Sequence, residues 1–161
     1  MTFQTGDLCD RFSSQDNFQI AESLFRHFGG HTQFCGQITT LKVFEDNSLV
    51  RTALEEKVTD RVLVIDGGGS KRCALIGDTL TRLALENGWA GIIVYGSIRG
   101  SDLISQMPIG VMALHTHPLR SRKHGQGDRD KMITFAGVNF KKDHYLYADA
   151  DGIIVSETKL D

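Results

Sequence analysis

The chain has 161 residues, a length that suits one domain with its own hydrophobic core, expected here to span residues 1–161. Hydrophobic residues make up 40% of the chain and charged residues 24%, as in an ordinary soluble globular protein. The net charge of -2 shows none of the basic excess typical of proteins that bind nucleic acid. No apolar run approaches the ~20 residues of a membrane span. Because the first residues also lack a secretory pattern, we expect a cytoplasmic protein.

The first third of the chain predicts both helical and extended segments. Asp7 is expected to cap a short first helix. Residues 19–28 carry apolar side chains at the spacing typical of a helix. Residues 34–44 are rich in β-branched side chains and predict a strand, after which Asp46 or Asn47 is expected to cap a helix that ends near residue 56.

The rest of the chain predicts alternating strands and helices, followed by a β meander. Asp78 is expected to be the N-cap of the central helix, and Cys73 falls in an apolar run and is expected in the core. Strands are predicted over residues 61–65, 72–76, 91–95, 111–115, 133–135, 138–140, 144–148 and 153–155, a helix over residues 79–87, and one or two helical turns over residues 102–106. This order predicts a mixed α/β domain rather than an open doubly wound sheet.

A candidate site lies where predicted strands end. Gly77, Asp78, Thr79 and Leu80 begin the central helix, and Arg99 follows the next strand. Free amides at a helix N-terminus and a guanidinium are the groups that best bind a small carboxylate. We therefore predict an anion pocket there, with a surface or intersubunit ion pair as the alternative role for Arg99.

Another strand end carries an acid followed by three glycines and a serine, residues 66–70. These residues form either a tight turn alone, because glycine adopts positive φ readily, or a turn that is also a third wall of the pocket. The segment does not place a lysine followed by a hydroxyl residue after its glycines, as a nucleotide-binding loop requires.

Two further features favour structural roles. His115 and His117 would share one face of a strand and could bind a metal, but no third ligand has a matching spacing, so a solvated strand end is favoured. The basic residues 120–123 are expected to form a solvated face or a contact with another subunit.

Six short motifs run in order from one end of the chain to the other. They are Leu8-Cys9-Asp10, Phe28-Gly29-Gly30, Phe44-Glu45-Asp46-Asn47, Val64-Ile65-Asp66-Gly67-Gly68-Gly69-Ser70, Tyr95-Gly96-Ser97-Ile98-Arg99 and Tyr147-Ala148-Asp149-Ala150-Asp151-Gly152-Ile153-Ile154. Together they resemble the family that unites the regulator of ribonuclease activity A with the class II 4-hydroxy-4-methyl-2-oxoglutarate aldolases.

The resemblance implies a compact α/β/β sandwich, similar to a swivelling domain, with a mixed sheet. It also implies a ring-shaped homotrimer with sites at the subunit interfaces. Aldolases of this family cleave 4-hydroxy-4-methyl-2-oxoglutarate into two pyruvates and decarboxylate oxaloacetate. Both reactions pass through a pyruvate enolate held by a divalent metal, Mg²⁺ or Mn²⁺.

The resemblance also assigns residues. The backbone of Gly77, Asp78, Thr79 and Leu80 would bind the substrate carboxylate, and Arg99 would contact the substrate as the catalytic residue.

Gly100 stands where the family's aldolases carry a metal-binding aspartate, and no side chain at that position can bind a cation. Asp102 is the expected substitute ligand, with Asp66 as another candidate. Because a hard divalent ion that is held mostly by water depends on its carboxylate ligand, this departure weakens the expectation of a metal-dependent lyase.

Two functions follow from the resemblance. The leading interpretation is an aldolase that acts on a small 2-oxo acid, with oxaloacetate decarboxylation as a side activity. The alternative is a non-enzymatic regulator that binds ribonuclease E and inhibits RNA cleavage through a protein surface. Neither function calls for direct binding to nucleic acid or to a membrane.

Overall fold

The structure is a computed structural model that describes residues 2–161. Its helices are α1 (Thr5–Phe12), α2 (Ser48–Leu54), α3 (Asp78–Glu86) and α4 (Ser101–Ile104). Its strands are β1 (Phe18–Ile20), β2 (Arg26–His27), β3 (Phe34–Lys42), β4 (Arg61–Asp66), β5 (Ala74–Ile76), β6 (Trp89–Ile98), β7 (Gly110–Thr116), β8 (Asp128–Arg129), β9 (Ile133–Phe135), β10 (Val138–Phe140), β11 (Tyr145–Ala148) and β12 (Ile153–Ser156).

One large mixed sheet organises the described chain. Its strand order is β1-β12-β11-β3-β4-β6-β7-β2, with β5 paired to β6 and β8 paired to β3. Strands β3, β4, β6 and β7 run parallel, and antiparallel strands flank them on both sides. The prediction of a mixed α/β fold is therefore confirmed.

The two ends of this sheet approach each other. β1 and β2 occupy opposite ends of the strand order, yet only residues 21–25 separate them along the chain. Because a short extended segment reaches about 3.3–3.6 Å per residue, the sheet must curl for both pairings to form. The ring of His27, on β2, also lies 2.7 Å from the carbonyl oxygen of Asp149, in the turn between β11 and β12.

The sheet separates two hydrophobic cores, because alternate strand residues point to opposite faces. On β4, Leu63 and Ile65 pack with the buried sides of α2 and α3, whereas Val62 and Val64 pack with the β9–β10 hairpin. Helices, large sheet and small two-stranded sheet thus form the three layers of an α/β/β sandwich.

The helix predicted over residues 19–28 is wrong. Those residues instead contribute β1 and β2, which pair with β12 and β7. Ile20 and Leu24, two members of the presumed apolar stripe, are 57% and 44% exposed. Backbone N–H and C=O groups at two sheet edges need hydrogen-bond partners. Pairing with those edges stabilises the segment more than a helix would, because only four apolar residues would form the buried face of that helix.

The predicted N-caps were also wrong in two of three cases. Asp7 lies in the first turn of α1 and the N-cap is Gln4. Asp78 is the first residue of α3, and Gly77 is its N-cap. Asn47 is the N-cap of α2 as expected, although its side-chain amide donates to the carbonyl oxygen of Leu75 rather than capping the helix.

Other boundaries moved because tertiary pairing extends or shortens elements. β6 runs from Trp89 to Ile98, well beyond the predicted residues 91–95, because β4, β5 and β7 all pair with it. Gly91 is required within it, since a Cβ there would lie 2.3 Å from the ring of Phe34.

Cys73 is 6% exposed, as expected for a core residue. No helix among residues 2–161 is long and apolar enough to cross a membrane.

Candidate active site

A cavity of about 410 Å³ opens at the carboxyl ends of β5 and β6. This is the edge of a parallel sheet at which ligands commonly bind. The cavity is lined by Asn47, Ser48, Arg51, Ala74, Ile76, Gly77, Asp78, Thr79, Leu80, Arg99, Arg120 and Lys123. The structure thus brings together the five residues expected to bind substrate, and their roles stay predictions.

The start of α3 supplies backbone donors to this cavity. Gly77 is the N-cap and has no side chain that could accept hydrogen bonds from the first helical amides. The earliest hydrogen bond within the helix runs from the Thr81 amide to the Gly77 carbonyl oxygen over 3.1 Å. The amides of Asp78, Thr79 and Leu80 come before it and therefore have no partner within the helix. The helix dipole adds to their attraction for an anion.

Arg99 lies against the beginning of this helix. Its amide donates to the carbonyl oxygen of Ile76 over 3.0 Å, which fixes its backbone beside β5. A Cβ added to Gly77 would lie 3.4 Å from Cγ and 3.6 Å from Nε of Arg99. The guanidinium donates from Nη1 to the carbonyl oxygen of Pro118 over 3.2 Å. Its other donors stay available to a ligand, because an arginine carries five N–H groups.

A further wall is residues 118–126, which we call the strap. Near its start the Ala74 amide donates to the Leu119 carbonyl oxygen over 2.7 Å. Further on, the Arg122 amide donates to the Glu45 carbonyl oxygen over 2.8 Å, and the Asn47 amide donates to the Arg122 carbonyl oxygen over 3.0 Å. These backbone bonds fasten the strap to β5 and to the start of α2.

Asp46 holds the end of the strap. The residue is 2% exposed, and its carboxylate accepts from the amides of Ser48 over 3.0 Å, His124 over 2.7 Å and Gln126 over 3.4 Å. Burial alone would raise the pKa of Asp46, but these hydrogen bonds outweigh it and leave the pKa below its ordinary value. The charged form of Asp46 is therefore the form that anchors the strap.

The cavity is strongly cationic. Arg51, Arg99, Arg120 and Lys123 line it, and Asp78 is the one acidic side chain among the described lining residues. The sequence did not indicate Arg51 in this role, and residues 120–123 were expected on a solvated face or a subunit contact. No local pattern distinguishes these residues, because α2 and the strap bring Arg51, Arg120 and Lys123 together only in the folded chain.

Of the two roles left open for the glycine-rich turn, the structure favours the turn alone, because residues 66–70 are absent from the described cavity lining. Asp66 Oδ1 accepts from the Gly68 amide over 2.9 Å, and neither residue is among the described residues that line the cavity. Asp66 lines a separate cavity of about 480 Å³ with Phe44 and Gln126. A Cβ at Gly67 would lie 2.5 Å from Leu75 Cδ1, so close packing accounts for a glycine in this turn.

Two acidic residues, Asp78 and Asp102, follow the strand ends near Arg99. Asp102 is an exposed residue in the first turn of α4, outside the cavity lining of the described chain. Asp78 Oδ1 lies 3.0 Å from the position of a Cβ added to Gly100, and Asp78 Oδ2 lies 3.8 Å from Arg82 Nη2. Within residues 2–161 no group of three or more His, Cys, Asp or Glu side chains could hold a metal ion.

This donor set does not fit a resident divalent ion. Mg²⁺ needs one or two carboxylates with its waters, whereas the four cationic side chains of this cavity would repel a cation. His117 Nδ1 accepts from the Leu119 amide over 3.1 Å, and neither His115 nor His117 belongs to a group of three or more such ligands within residues 2–161.

Residues 5–155 match the family model described as RraA-like, Aldolase/RraA. The chain belongs to this RraA-like family. A relative from Methylococcus capsulatus, named "Putative 4-hydroxy-4-methyl-2-oxoglutarate aldolase", is 61% identical over 160 residues, which cover 99% of each chain. The family resemblance drawn from the six motifs is confirmed.

Two solved structures are similar to this RraA-like protein along nearly its whole length. The RNA-processing inhibitor RraA from Thermus thermophilis has a TM-score of 0.95 and 40% identity, covering 100% of this chain and 96% of its own. A protein named S-adenosylmethionine: 2-dimethylmenaquinone methyltransferase from Geobacillus kaustophilus HTA426 has a TM-score of 0.95 and 49% identity, covering 98% and 97%. The names of these relatives therefore disagree about function.

Proposed function

We propose that this protein is a lyase that cleaves 4-hydroxy-4-methyl-2-oxoglutarate into two pyruvates and decarboxylates oxaloacetate as a side reaction. The observation that supports this proposal best is the cationic cavity in which Arg99 lies against the free amides of α3. The similarity to relatives named as this aldolase, at up to 61% identity, supports the same reaction.

The proposed chemistry needs a site that stabilises a pyruvate enolate. In aldol cleavage the C3–C4 bond breaks, the C4 hydroxyl loses its proton, and the electron pair forms the enolate, which then takes a proton at C3. In oxaloacetate decarboxylation the bond to the departing CO₂ breaks and leaves the same enolate. We propose that the amides of Thr79 and Leu80 bind the carboxylate beside the keto group and that Arg99 stabilises the oxygen on which the charge develops.

The test is pyruvate release from each substrate, followed by a coupled lactate dehydrogenase assay. Arg99→Lys should lower kcat by about 10²–10³-fold, because lysine cannot reproduce paired hydrogen bonds to an oxyanion. Arg26→Lys is the matched control, since Arg26 is exposed on β2 and stacks over the Phe28 ring at 5.2 Å. Wild-type protein that releases no pyruvate above the uncatalysed rate, or an Arg99→Lys variant of full activity, would refute the proposal.

Dependence on Mg²⁺ or Mn²⁺ is a separate proposal that comes from the family resemblance alone. The donor set found here argues against tight binding, and no step above passes through a metal. Titrating each metal into protein treated with a chelator, while pyruvate release is measured, tests this dependence directly.

A regulator that binds ribonuclease E is the second candidate function. It is favoured by the similarity to the RNA-processing inhibitor RraA, at a TM-score of 0.95. Mixing purified ribonuclease E with this protein should then give a stable complex and slower RNA cleavage. Failure to form a complex at micromolar concentrations would leave the lyase proposal standing alone.

The methyltransferase name of the other neighbour fits this cavity poorly. S-adenosylmethionine carries a positively charged sulfonium, and four cationic side chains face one acidic side chain among the described lining residues. Such a cavity favours an anionic ligand.

We further propose that the protein is cytoplasmic and forms a homotrimer. The trimer comes from the family resemblance, and the exposed side chains of Phe44, Leu103 and Leu119, at 58%, 54% and 59%, are candidates for its interface. Light scattering coupled to size-exclusion chromatography should give three times the 17.8 kDa chain mass.

A further inference from the structure

We propose that a second cavity, at the opposite edge of the sheet from Arg99, binds a zwitterionic ligand with an aromatic ring, such as an aromatic amino acid. This amino-end cavity has a volume of about 630 Å³ and opens at the amino ends of β3, β4, β6 and β7. The six residues of β4 separate it from the carboxyl ends of the strands by about 20 Å, since a strand rises about 3.3 Å per residue. The proposal is therefore independent of the lyase reaction.

The lining of the amino-end cavity is rich in rings. Phe34, Trp89 and Tyr147 are buried at its floor. Tyr145 is half-buried and Pro108 is exposed, so these two rings present apolar surface to a ligand above that floor. Aromatic rings pack favourably on one another beyond the effect of area burial alone, so this lining favours a ligand with a planar ring.

Hydrogen bonds fix the floor of the amino-end cavity. The indole N–H of Trp89 donates to the carbonyl oxygen of Glu56 over 3.2 Å. The Tyr147 hydroxyl accepts from the Leu160 amide over 2.8 Å. Because the folded chain already orders these side chains, a ligand that packs above them does not have to immobilise them.

Two opposite charges lie on the rim of the amino-end cavity. Asp60 and Lys159 are exposed, and neither side chain has an ion-pair or hydrogen-bond partner among residues 2–161. Burial is the main cause that raises the pKa of the Cys35 thiol in the same lining, while Asp60 raises that pKa further and Lys159 lowers it. Since both charges act on one thiol, they lie near enough for one small ligand to reach both.

An aromatic amino acid matches this arrangement of groups. Its ammonium pairs with Asp60, its carboxylate pairs with Lys159, and its ring packs on the apolar lining. A ligand with a single charge would leave one of the two rim charges without a partner. Cavities of this size that combine apolar walls with a few polar groups are typical sites for small molecules.

The test uses the fluorescence of Trp89, which is the one tryptophan of the chain and lies in this lining. The probes are L-phenylalanine, 3-phenylpropanoate without the ammonium, phenethylamine without the carboxylate, and glycine without the ring. Phenylalanine should change the fluorescence in a saturable way at millimolar concentrations, and glycine should not. Each probe with a single charge should bind about three- to fivefold more weakly than phenylalanine, the contribution of one exposed ion pair.

Two variants assign the charges. Lys159→Met should weaken phenylalanine binding by about three- to fivefold and leave phenethylamine binding unchanged. Asp60→Asn should weaken phenylalanine binding equally and leave 3-phenylpropanoate binding unchanged. Lys141→Met and Asp16→Asn are the matched controls, because both residues are exposed and lie outside this lining, and they should change no affinity.

Three results would overturn the proposal. The first is wild-type protein that shows no saturable response to phenylalanine, which is also the result if a second copy of the chain covers the cavity. The second is glycine that binds as tightly as phenylalanine, because the ring would then contribute nothing. The third is a pair of variants that weaken all the aromatic probes equally or weaken none of them.

Discussion

Gly100→Asp places a carboxylate where this chain has none, next to an acid that is already present. Gly100 has φ of +66°, and a Cβ there would lie 3.0 Å from Asp78 Oδ1. Aspartate tolerates the left-handed region better than most residues, so the backbone cost is about 1 kcal/mol. Repulsion between two carboxylates about 4 Å apart in water adds about 1 kcal/mol. The variant should therefore be about 2 kcal/mol less stable, which lowers Tm by roughly 4–8 °C for a chain of this size.

A divalent ion should reverse this loss. The paired carboxylates of Asp78 and the new aspartate would supply the oxygen ligands that Mg²⁺ prefers. At a metal concentration about a hundredfold above Kd, binding stabilises the folded protein by about 2.7 kcal/mol. Thermal unfolding with Mg²⁺, with Mn²⁺ and with chelator measures this shift, and pyruvate release from oxaloacetate is measured under the same conditions.

Gly100→Asn is the matched control for this experiment. Asparagine also tolerates positive φ and has the same shape as aspartate, but it brings no charge. It should be about 1 kcal/mol less stable than the wild type and should show no added response to metal. A Gly100→Asp variant whose Tm and pyruvate release respond to Mg²⁺ no more than those of Gly100→Asn would refute the reasoning that position 100 limits metal binding.

Three further predictions concern Gly77 in the cavity wall, Asp46 as the anchor of the strap, and the buried carboxylates of Asp46 and Asp149. Gly77→Val should raise KM for oxaloacetate by about 10–100-fold in steady-state kinetics, because the methyl groups of the valine would displace Arg99. Gly77→Ala should stay close to the wild type. Asp46→Asn should lower the free energy of unfolding by about 1–3 kcal/mol in urea titrations, because it removes the charged acceptor of buried amides that hold the strap; an unchanged urea midpoint would contradict this. In the folded protein, the pKa values of Asp46 and Asp149 both lie below the ordinary value of about 3.9. The stability that these carboxylates contribute is therefore complete above about pH 5. It is lost as the pH falls through their folded-state pKa values. Urea midpoints between pH 7 and pH 2 should therefore fall less steeply for Asp149→Asn than for the wild type.

Much of the fold could be predicted because some segments have one strongly preferred structure. The continuous apolar run of residues 61–65 predicted a buried parallel strand, and β4 (Arg61–Asp66) lies in the middle of the sheet. The amphipathic pattern of residues 79–87 predicted α3 to within one residue at each end. These elements bury the faces that their spacing indicates, so local pattern and tertiary packing agree.

Residues 19–28 show where local pattern fails. Their spacing indicated a helix, yet they provide backbone partners for two sheet edges that lie far away along the sequence. No property of the segment itself reveals those edges. Their partner strands, β7 and β12, lie more than 80 residues further along the chain.

The sequence by itself determined the alternation of strands and helices, the family, and the group of Gly77–Leu80 with Arg99. These follow from hydrophobic periodicity, from motifs of adjacent residues, and from the rule that parallel strands deliver their carboxyl ends to one edge. Only the tertiary structure decided that Arg51, Arg120 and Lys123 line the same cavity and that the glycine-rich turn does not. The reason is physical: the charge of a cavity depends on which distant segments fold against it, and here the buried carboxylate of Asp46 holds the strap in position.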